Sequence, residues 1–493
     1  MLDLIDQASK YLHNTAIVAD GHTRTYEALL QQSSSLAALV LDDESDLRER
    51  RVAYMVTPGF DYVMVQWGIW RAGGIAVPLC LTHPLPSLKY VLEDTDASTI
   101  VVSPQYENIL KDLAAQKGIR LIVLQNELAA LEKVMPSILP ERRAMILYTS
   151  GTTSLPKGVV TTHNNLQAQI TSLVKAWEWS SDDAILNVLP LHHVHGIVNV
   201  NCCALYSGAS CRFLPAFNAA AIFDIFTRGQ VNLFMAVPTI YYKLIAHYES
   251  LSADEQRNVS AAMKKFRLMV SGSAALPVTI MEKWRKISGH VLLERYGMTE
   301  IGMAIGNPYD GERKAGFVGM PLPGVHIRLV DDDFHDVKMG ESGEVLVKGE
   351  NVFSEYWNRQ EETKNSFSAD GWFKTGDVAI CENGYYRIMG RNSIDIIKSG
   401  GYKISALEIE EILRTNPRIK DCAVVGLENE EWGELVAAAI VAKENQSIDI
   451  NMIDSWMRER MPAYRIPRHY KVVDELPRNT MGKVVKNDLK KIF

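Results

Sequence analysis

The sequence predicts an α/β fold in two parts. A large N-terminal domain of parallel sheets covered by helices is expected over residues 1–390, and a small, mobile α+β domain over residues 391–493. Three observations predict this. The 493 residues exceed what one ordinary core accommodates. Short apolar segments alternate with helical stretches through the first part. The last part, about 100 residues long, has a self-contained pattern of the usual size for a domain.

In the first part, strands are predicted at 51–56, 99–102 and 121–124, where apolar and β-branched residues are concentrated. Gly73, Gly74 and Pro78 punctuate the chain between them. Helix-length stretches separate the strands, so the strands are expected to run parallel with helices packed against the sheet.

In the second part, the glycine-containing segment 389–401 is expected to be a linker. Pro417 and Pro462 mark the ends of two helices, because proline does not continue a helix. The elements predicted after the linker are a helix at 406–414, strands at 422–426 and 435–442, a helix at 450–460 and a lysine-rich tail at 482–493.

Composition excludes several classes of protein. The net charge of −7 provides no global basic field, so no nucleic-acid partner is expected. The six cysteines form no CxxC pair, which predicts free, mostly buried thiols in a reducing compartment. No apolar run approaches the ~18–20 residues that span a bilayer. The N-terminus carries early acids and lacks an apolar signal-peptide core, so a cytoplasmic location is expected.

The most specific local signal is the segment 148–158, Tyr-Thr-Ser-Gly-Thr-Thr-Ser-Leu-Pro-Lys-Gly, which follows an apolar run at 144–147. Small hydroxyl residues and backbone N–H groups can wrap phosphate oxygens, and a lysine adds a positive charge. Pro156 before Lys157 and Gly158 after it exclude a Walker A loop. The alternative is an ordinary polar turn. The candidate phosphate-binding residues are Thr149, Ser150, Gly151, Thr152, Thr153 and Lys157.

This segment resembles the signature of the adenylate-forming superfamily, which includes acyl-CoA synthetases, peptide-synthetase adenylation domains and luciferases. The resemblance implies that the loop handles the β- and γ-phosphates of ATP. Ser154 departs from the family, which usually has glycine there, and its Cβ restricts conformations with positive φ. That departure affects the mobility of the loop. Four motifs occur in family order between about residues 53 and 486, which makes the set far more specific than any one of them.

The second motif is 294–300, Glu-Arg-Tyr-Gly-Met-Thr-Glu. The resemblance implies that Tyr296 stacks on adenine, that Thr299 binds the α-phosphate and that Glu300 holds Mg²⁺. A carboxylate suits such a hard cation. The upstream segment 270–277 resembles the turn that edges the nucleotide. Taken alone, 294–300 could be any helix entry. The nucleotide-binding residues implied here are Ser273, Ala274, Ala275, Tyr296, Gly297 and Met298.

The third and fourth motifs complete the nucleotide site. The segment 371–377 resembles the ribose motif, in which Asp377 accepts hydrogen bonds from both ribose hydroxyls with help from Arg391. The segment 476–483 resembles the C-terminal catalytic motif and implies Lys483 as the lysine that stabilises charge at the α-phosphate. The alternative is that Lys483 is one of several solvated tail lysines.

The resemblance implies an enzyme that uses ATP, Mg²⁺ and coenzyme A. A carboxylate attacks the α-phosphorus, with Lys483, Thr299 and Glu300 as catalytic residues, and the coenzyme A thiol then takes the acyl group. Relatives rotate the small domain between the two steps, which would present a second face formed by Gly400, Gly401, Tyr402 and Lys403. The hinge is one residue longer than in many relatives, so its pivot is only bracketed within 393–395.

The acid is predicted from the segment 189–196, Leu-Pro-Leu-His-His-Val-His-Gly, and from Arg295. The candidate acyl-pocket residues are His193, His195, Ser273 and Arg295. A buried guanidinium beside an aliphatic tail is costly, whereas a short dicarboxylate pairs with it. The combination of Arg295, Ser273 and the histidines resembles malonyl-CoA synthetases, and the segments 234–241, 271–277 and 395–403 resemble those of the mitochondrial type, which implies malonate. If Arg295 instead pairs with Glu294 or another acid, a medium- or long-chain fatty acid is the alternative.

Two other classes stay open at this point. An adenylation enzyme that loads a carrier protein uses the same four motifs, and consumption of free coenzyme A distinguishes it. A protein that only binds nucleotide is disfavoured because Lys483 and Glu300 are both present. The oligomeric state and the site of the coenzyme A nucleotide are left open.

Overall fold

The computed structural model describes residues 3–125, 128–131, 133–149, 155–214, 216–400, 402–444, 446–478 and 484–493. The described helices are α1 Asp3–Ala8, α2 Tyr26–Leu41, α3 Phe60–Arg71, α4 Leu85–Thr95, α5 Glu107–Lys117, α6 His163–Ala176, α7 Cys203–Tyr206, α8 Ala219–Thr227, α9 Pro238–Ser250, α10 Ala253–Met263, α11 Val278–Ser288, α12 Gln360–Asn365, α13 Ala406–Arg414, α14 Ile450–Arg458 and α15 Lys486–Lys490. A π-helical segment, His195–Cys202, precedes α7.

The described strands fall into four sheets. They are β1 Thr15–Ala19, β2 His22–Thr25, β3 Arg51–Met55, β4 Ile75–Pro78, β5 Thr99–Val102, β6 Arg120–Val123, β7 Arg143–Thr149, β8 Lys157–Thr162, β9 Ala184–Asn187, β10 Ser210–Phe213, β11 Leu233–Ala236, β12 Leu268–Ser271, β13 Leu293–Met298, β14 Gly302–Gly306, β15 Met320–Pro321, β16 His326–Val330, β17 Ser342–Lys348, β18 Glu355–Tyr356, β19 Phe373–Glu382, β20 Tyr385–Arg391, β21 Ile396–Ser399, β22 Tyr402–Ser405, β23 Ile419–Asn429, β24 Gly433–Ala442 and β25 His469–Val472.

Two large sheets form the first part of the chain. The nine-stranded sheet has the order β15-β14-β13-β12-β11-β9-β10-β1-β2, and the seven-stranded sheet has the order β18-β8-β7-β4-β3-β5-β6. Their central strands pair in parallel, as expected from the strand–helix alternation. The edges are antiparallel, including β7 with β8 and β13 with β14. The sheets are therefore mixed, and a core rich in buried Trp, Val, Leu and Ile joins them.

A four-stranded antiparallel sheet, β16-β17-β19-β20, lies between these sheets and the C-terminal part in sequence. It was not anticipated from the sequence. The pairing of β19 with β20 sets Asp377 directly opposite Arg391. This backbone register alone places the two predicted ribose residues side by side.

The C-terminal part has its own sheet and core. The strands β22, β21, β24 and β23 pair antiparallel, and β25 adds in parallel to β24, with helices α13 and α14 packed on the sheet. Helix α13 begins where predicted because the Ser405 hydroxyl accepts the Glu408 N–H at 3.3 Å. The predicted linker 389–401 was too long: β20 extends to Arg391 and β21 begins at Ile396, which leaves 392–395 between them. The boundary at 390 and 391 stays a prediction.

The six cysteines carry no disulfide in the structure, in agreement with the sequence. Five of them are buried, and Cys381 on β19 is half-buried. Burial raises the pKa of the Cys202 thiol to about 12, so such groups behave as small apolar side chains.

Candidate active site

A cavity of about 1800 Å³ lies between the first part of the chain and the C-terminal part. Described residues of the phosphate segment, of 270–277, of 294–300, of 371–377 and of 189–196 line it, whereas 476–478 and the described residues of 400–403 do not. From the C-terminal end, the lining residues are Val484, Val485, Lys486 and Asn487. Lys483 lies outside the described residues, so its predicted catalytic role stays a prediction that its lining neighbours support.

The phosphate segment forms the connection of an antiparallel hairpin. Thr149 at the end of β7 pairs with Lys157 at the start of β8, and both line the cavity. The predicted residues Ser150, Gly151, Thr152 and Thr153 lie outside the described residues. Lys157 forms an ion pair with Glu362 on α12. This carboxylate provides a counter-charge for the lysine.

The predicted ribose residues form a connected network. The Arg391 Nε donates to Asp377 Oδ1 at 3.1 Å, and the Tyr296 hydroxyl donates to Asp377 Oδ2 at 2.6 Å. Both oxygens of Asp377 are therefore oriented by neighbours, which fixes the carboxylate toward the cavity. Burial, followed by the charge of Asp377, raises the pKa of Tyr296, so its hydroxyl stays a donor. The contact between Tyr296 and Asp377 was not foreseen, since stacking was the role the sequence implied for Tyr296.

Thr299 and Glu300 follow β13 and line the cavity beside Gly297 and Met298. Glu300 is buried, and the Tyr356 hydroxyl donates to its Oε1 at 2.9 Å. Burial raises the pKa of Glu300 above that of a free carboxyl. A cation beside this carboxyl would offset the cost of ionising it, so the site fits Mg²⁺. Tyr356 carries no local sequence signal and was missed.

The turn 273–277 forms one edge of the cavity, and Ser273, Ala274 and Ala275 line it as predicted. Ser273 has φ of +68°, a left-handed conformation that is uncommon for residues other than glycine. Its hydroxyl lies 3.2 Å from His195 Nδ1. A second contact holds the turn, because the Leu276 N–H donates to Glu294 Oε1 at 3.1 Å. The sequence indicated Glu294 only as a possible partner for Arg295, so its bond to the turn was missed.

Arg295 is 3% exposed and lines the cavity, yet within the described residues its three guanidinium nitrogens have no hydrogen-bond partner. Strand β12 pairs in parallel with β13, and this register brings Gly272 beside Arg295. Burial lowers the pKa of Arg295 to about 9. A buried cation without a partner is unfavourable, so the site is complementary to an anion.

Glu294 does not neutralise Arg295. Burial raises the pKa of Glu294 to about 8, so the carboxyl is protonated at neutral pH. The sequence left open whether Arg295 pairs with Glu294; no hydrogen bond or ion pair joins the two side chains in the described structure. The guanidinium is therefore available to a ligand in the cavity.

The predicted histidines lie beside the same end of the cavity. His193 and His195 line it, and His195 is the first residue of the π-helical segment. Burial, followed by the nearby charge of Arg295, lowers the pKa of His195 well below its ordinary value. His195 is therefore a neutral imidazole that can donate or accept a hydrogen bond without adding charge.

The second face is turned away from the cavity in this arrangement. Gly400, Tyr402 and Lys403 are absent from its lining, and Tyr402 is exposed. Lys403 Nζ pairs with Asp332 of the first part of the chain at 3.0 Å. Gly401 lies outside the described residues. The C-terminal part thus presents residues 484–487 to the cavity, and Gly400, Tyr402 and Lys403 lie elsewhere.

Two kinds of feature are absent from the described residues. No described helix is a candidate membrane span, and the longest, α2, has 16 residues. No group of three or more His, Cys, Asp or Glu side chains in the described part of the chain is arranged to hold a metal ion. A metal that arrives with phosphates needs only one or two carboxylates from the protein, which is what Glu300 offers.

Comparisons with known proteins agree with this geometry. The family model described as AMP-binding enzyme matches residues 4–357, and the model described as AMP-binding enzyme C-terminal domain matches residues 408–483. A Homo sapiens protein named malonate–CoA ligase ACSF3, mitochondrial, is 42% identical over 97% of this chain and 89% of its own. An Arabidopsis thaliana protein named malonate–CoA ligase is 38% identical over 98% of this chain and 87% of its own.

A solved structure shares the fold throughout. The ATP-bound form of MatB from Rhodopseudomonas palustris is similar, with a TM-score of 0.91 and 32% identity over 100% of this chain and 98% of that one. The apo form of the same protein matches with a TM-score of 0.83. With both domain models matched in order along almost the whole length, the chain belongs to the family of AMP-binding enzymes.

Proposed function

We propose that this protein is an AMP-forming acid–CoA ligase that converts malonate, ATP and coenzyme A into malonyl-CoA, AMP and pyrophosphate. The observation that carries the choice of acid is Arg295, a buried guanidinium that faces the cavity without a partner in the described structure. Relatives named malonate–CoA ligase at 42% and 38% identity support the same acid.

The acyl end of the cavity suits a short dicarboxylate. One carboxylate of malonate would pair with the guanidinium of Arg295, bidentately where the geometry allows. The Ser273 hydroxyl and the neutral His195 ring, 3.2 Å apart, are polar groups at the same end. The second carboxylate then points toward the nucleotide residues. A fatty acid would leave the cation of Arg295 buried against an apolar chain, which is costly.

In the first step, a carboxylate oxygen attacks the α-phosphorus of ATP, the bond between the α-phosphorus and the bridging oxygen breaks, and pyrophosphate leaves. The protein contributes position and charge rather than covalent chemistry. Asp377, held by Tyr296 and Arg391, orients the ribose. Thr149 and Lys157 approach the β- and γ-phosphates, and Thr299 and Lys483 approach the α-phosphate. Mg²⁺ held by Glu300 would neutralise phosphate charge.

In the second step, the coenzyme A sulfur attacks the acyl carbon, the bond from that carbon to the AMP oxygen breaks, and the thiol proton passes to solvent. Of the residues proposed for coenzyme A, Gly400, Tyr402 and Lys403 lie outside the cavity in the present arrangement. For both steps to use one nucleotide position, the C-terminal part must reorient between them. The exposed contact between Lys403 and Asp332 would be broken in that movement.

The first experiment is a substrate panel. Pyrophosphate release and acyl-CoA formation are measured with ATP, Mg²⁺ and coenzyme A across malonate, methylmalonate, succinate, acetate, octanoate and palmitate, for the wild type and Arg295→Met. We expect malonate to be used best and the variant to lose it by about 10²-fold or more, the value of a strong charge-assisted pair.

Other outcomes separate the alternatives. Preference for octanoate or palmitate, unchanged in Arg295→Met, would contradict malonate and favour a medium- or long-chain fatty acyl-CoA synthetase. Pyrophosphate release without consumption of free coenzyme A would favour an adenylation enzyme that loads a carrier protein. A fatty acyl-CoA synthetase acts on small molecules, whereas a carrier-loading enzyme also has a protein partner.

We propose a cytoplasmic location, which the free, mostly buried thiols typical of a reducing compartment support. The animal relatives are named mitochondrial, so their names do not support it. Fractionation of cells of the source organism, with immunodetection of the protein, would test it; recovery in an organelle or membrane fraction would contradict it.

A further inference from the structure

A buried lysine joins the hinge to the C-terminal part. Lys486, the first residue of α15, is 8% exposed. Its Nζ lies 2.6 Å from Asp395 Oδ1 and 2.9 Å from Glu410 Oε1. None of the four sequence motifs includes Lys486. It lies three residues after Lys483 and itself lines the cavity. A lysine buried to this extent requires paired carboxylates, and here it has two.

Its two carboxylate partners belong to different parts of the chain. Glu410 lies on α13, is 5% exposed, and is held by Arg414 at 3.0 Å and by the Val424 N–H at 2.9 Å. It is therefore a fixed feature of the C-terminal core. Asp395 lies in the hinge, where its Oδ2 accepts the Arg391 N–H at 3.0 Å. We name the set Arg391, Asp395, Lys486 and Glu410 the hinge clamp.

The hinge clamp must cross the pivot wherever the pivot lies within 393–395. If rotation occurs before Asp395, the contact between Asp395 and the Arg391 N–H is broken. If rotation occurs at Asp395 itself, its contact with Lys486 on the C-terminal side is broken. In both cases the complete clamp exists only in one orientation, the one in which Val484, Val485, Lys486 and Asn487 line the cavity.

The hinge clamp also reaches the nucleotide residues. Arg391 donates through its backbone to Asp395 and through its Nε to Asp377, the proposed ribose ligand. An unbroken series of polar contacts thus runs from Asp377 through Arg391 and Asp395 to Lys486. Binding of the ribose would order Asp377 at one end of this series. The orientation of the C-terminal part depends on Lys486 at the other end.

We propose that Lys486 is a positioning residue for the adenylate-forming step, which acts by holding the C-terminal part in the orientation that faces the cavity, through Asp395 of the hinge. The inference rests on the proposed two-step ligation. It assigns to Lys486 no contact with a substrate. Loss of the clamp therefore slows the step that needs this orientation, and the step that needs the reoriented C-terminal part is unaffected.

The test compares Lys486→Met and Asp395→Asn with the wild type in the two half-reactions. Adenylate formation is measured as ATP–pyrophosphate exchange with the preferred acid, and thioester formation is measured from supplied acyl-adenylate and coenzyme A. We expect exchange to fall about 10-fold or more, because a charged hydrogen bond is lost, while thioester formation stays within about two-fold. The fall should appear in kcat with KM for ATP unchanged, and Lys486→Arg should restore most of it.

Lys490→Met is the matched control, because Lys490 lies on the same short helix α15 and its ion pair with Glu434, at 3.9 Å, is longer and more exposed than those of Lys486. It should leave both half-reactions unchanged. Thermal unfolding of each variant separates positioning from folding. Glu410 keeps Arg414 and the Val424 N–H in Lys486→Met, and Asp395→Asn retains the acceptor for Arg391, so both variants should fold.

Two results would overturn the proposal: equal loss of both half-reactions, which indicates a merely structural lysine, or exchange that is unchanged in both variants. A wild-type protein without exchange activity toward any acid would instead overturn the proposed ligation, and the role of Lys486 with it. The same wild-type measurement therefore distinguishes failure of the function from failure of the clamp.

Discussion

Arg295 and Gly272 are in such close contact that Gly272 has no room for a side chain. A Cβ built on Gly272 would lie 2.6 Å from Arg295 Nε and closer still to Cζ and Nη1. No real Cβ tolerates this approach, so alanine at 272 would displace the guanidinium from its place beside the cavity. The position of Arg295 in the anion site therefore requires that residue 272 has no side chain.

We expect Gly272→Ala to raise KM for malonate and to lower kcat/KM by about 10–100-fold, since the charge-assisted pair would be misaligned. Initial rates of pyrophosphate release give both constants. Gly306→Ala is the control: its Cβ would lie 3.3 Å from Leu322 Cδ2, the end of a flexible side chain, and 3.8 Å from Arg295 Cβ, away from the guanidinium. Equal losses in the two variants would argue against a specific role for Gly272.

The pKa of Glu294, raised to about 8 by burial, predicts a pH dependence of stability. The folded state binds a proton that the unfolded state has released above its ordinary carboxyl pKa. Stability from this group is therefore present below about pH 4.5 and is lost as pH rises toward 8. Glu294→Gln keeps an acceptor for the Leu276 N–H and does not titrate.

Denaturant unfolding of wild type and Glu294→Gln between pH 5 and 8 measures this effect, because that interval lies within the range from about 4.5 to about 8, the pKa values of the unfolded and folded carboxyl. We expect the wild type to lose stability relative to the variant as pH rises. A difference in unfolding free energy that stays constant across the interval would mean that Glu294 is ionised throughout.

Lys483→Ala should cut adenylate formation by about 10²–10³-fold, a typical loss for one electrostatic group. It should spare thioester formation from pre-formed acyl-adenylate. The two half-reactions are measured separately, with Lys491→Ala as a control, because Lys491 is an exposed lysine in the same tail. Loss of both half-reactions together would contradict the assignment of separate faces to the two steps.

The ion pair of Arg267 with Asp183 involves a buried carboxylate, so breaking it should lower the free energy of unfolding more than breaking an exposed ion pair does. Asp183 is almost fully buried and accepts from Arg267 Nε and Nη2 at 2.7 Å each. Arg267→Met should lower the free energy of unfolding by about 3 kcal/mol or more, because it leaves a buried carboxylate uncompensated. Arg228→Met breaks an exposed pair with Asp224 and should cost at most about 1 kcal/mol. Similar shifts in thermal midpoint for both would contradict this.

Local patterns predicted the elements whose signals are local. The helix at 406–414 was found with the predicted bounds, because Ser405 caps it and apolar residues recur on one face. Three of the four motifs contribute residues that line the cavity, and Tyr296, Asp377 and Arg391 are brought into contact.

Partners distant in sequence were not predictable. Tyr356 reaches Glu300 across 56 positions, and nothing in its short strand signals that contact. In the sequence, Lys486 is one of several tail lysines, whereas in the folded structure it is buried against Asp395 and Glu410. The pairing of β19 with β20 is instead local, because only residues 383 and 384 separate the two strands within one sheet, and this hairpin was missed.

The distribution of thiols has a practical consequence. Cys80, Cys202, Cys203, Cys211 and Cys422 are buried, and reagents that modify thiolates reach such groups slowly. Cys381, half-buried on β19, is left as the position that a maleimide dye would label first. The native chain therefore carries its own attachment point for a fluorophore on the sheet that holds Asp377 and Arg391. A second dye on the C-terminal part would make reorientation visible as a change in energy transfer, without removal of any cysteine.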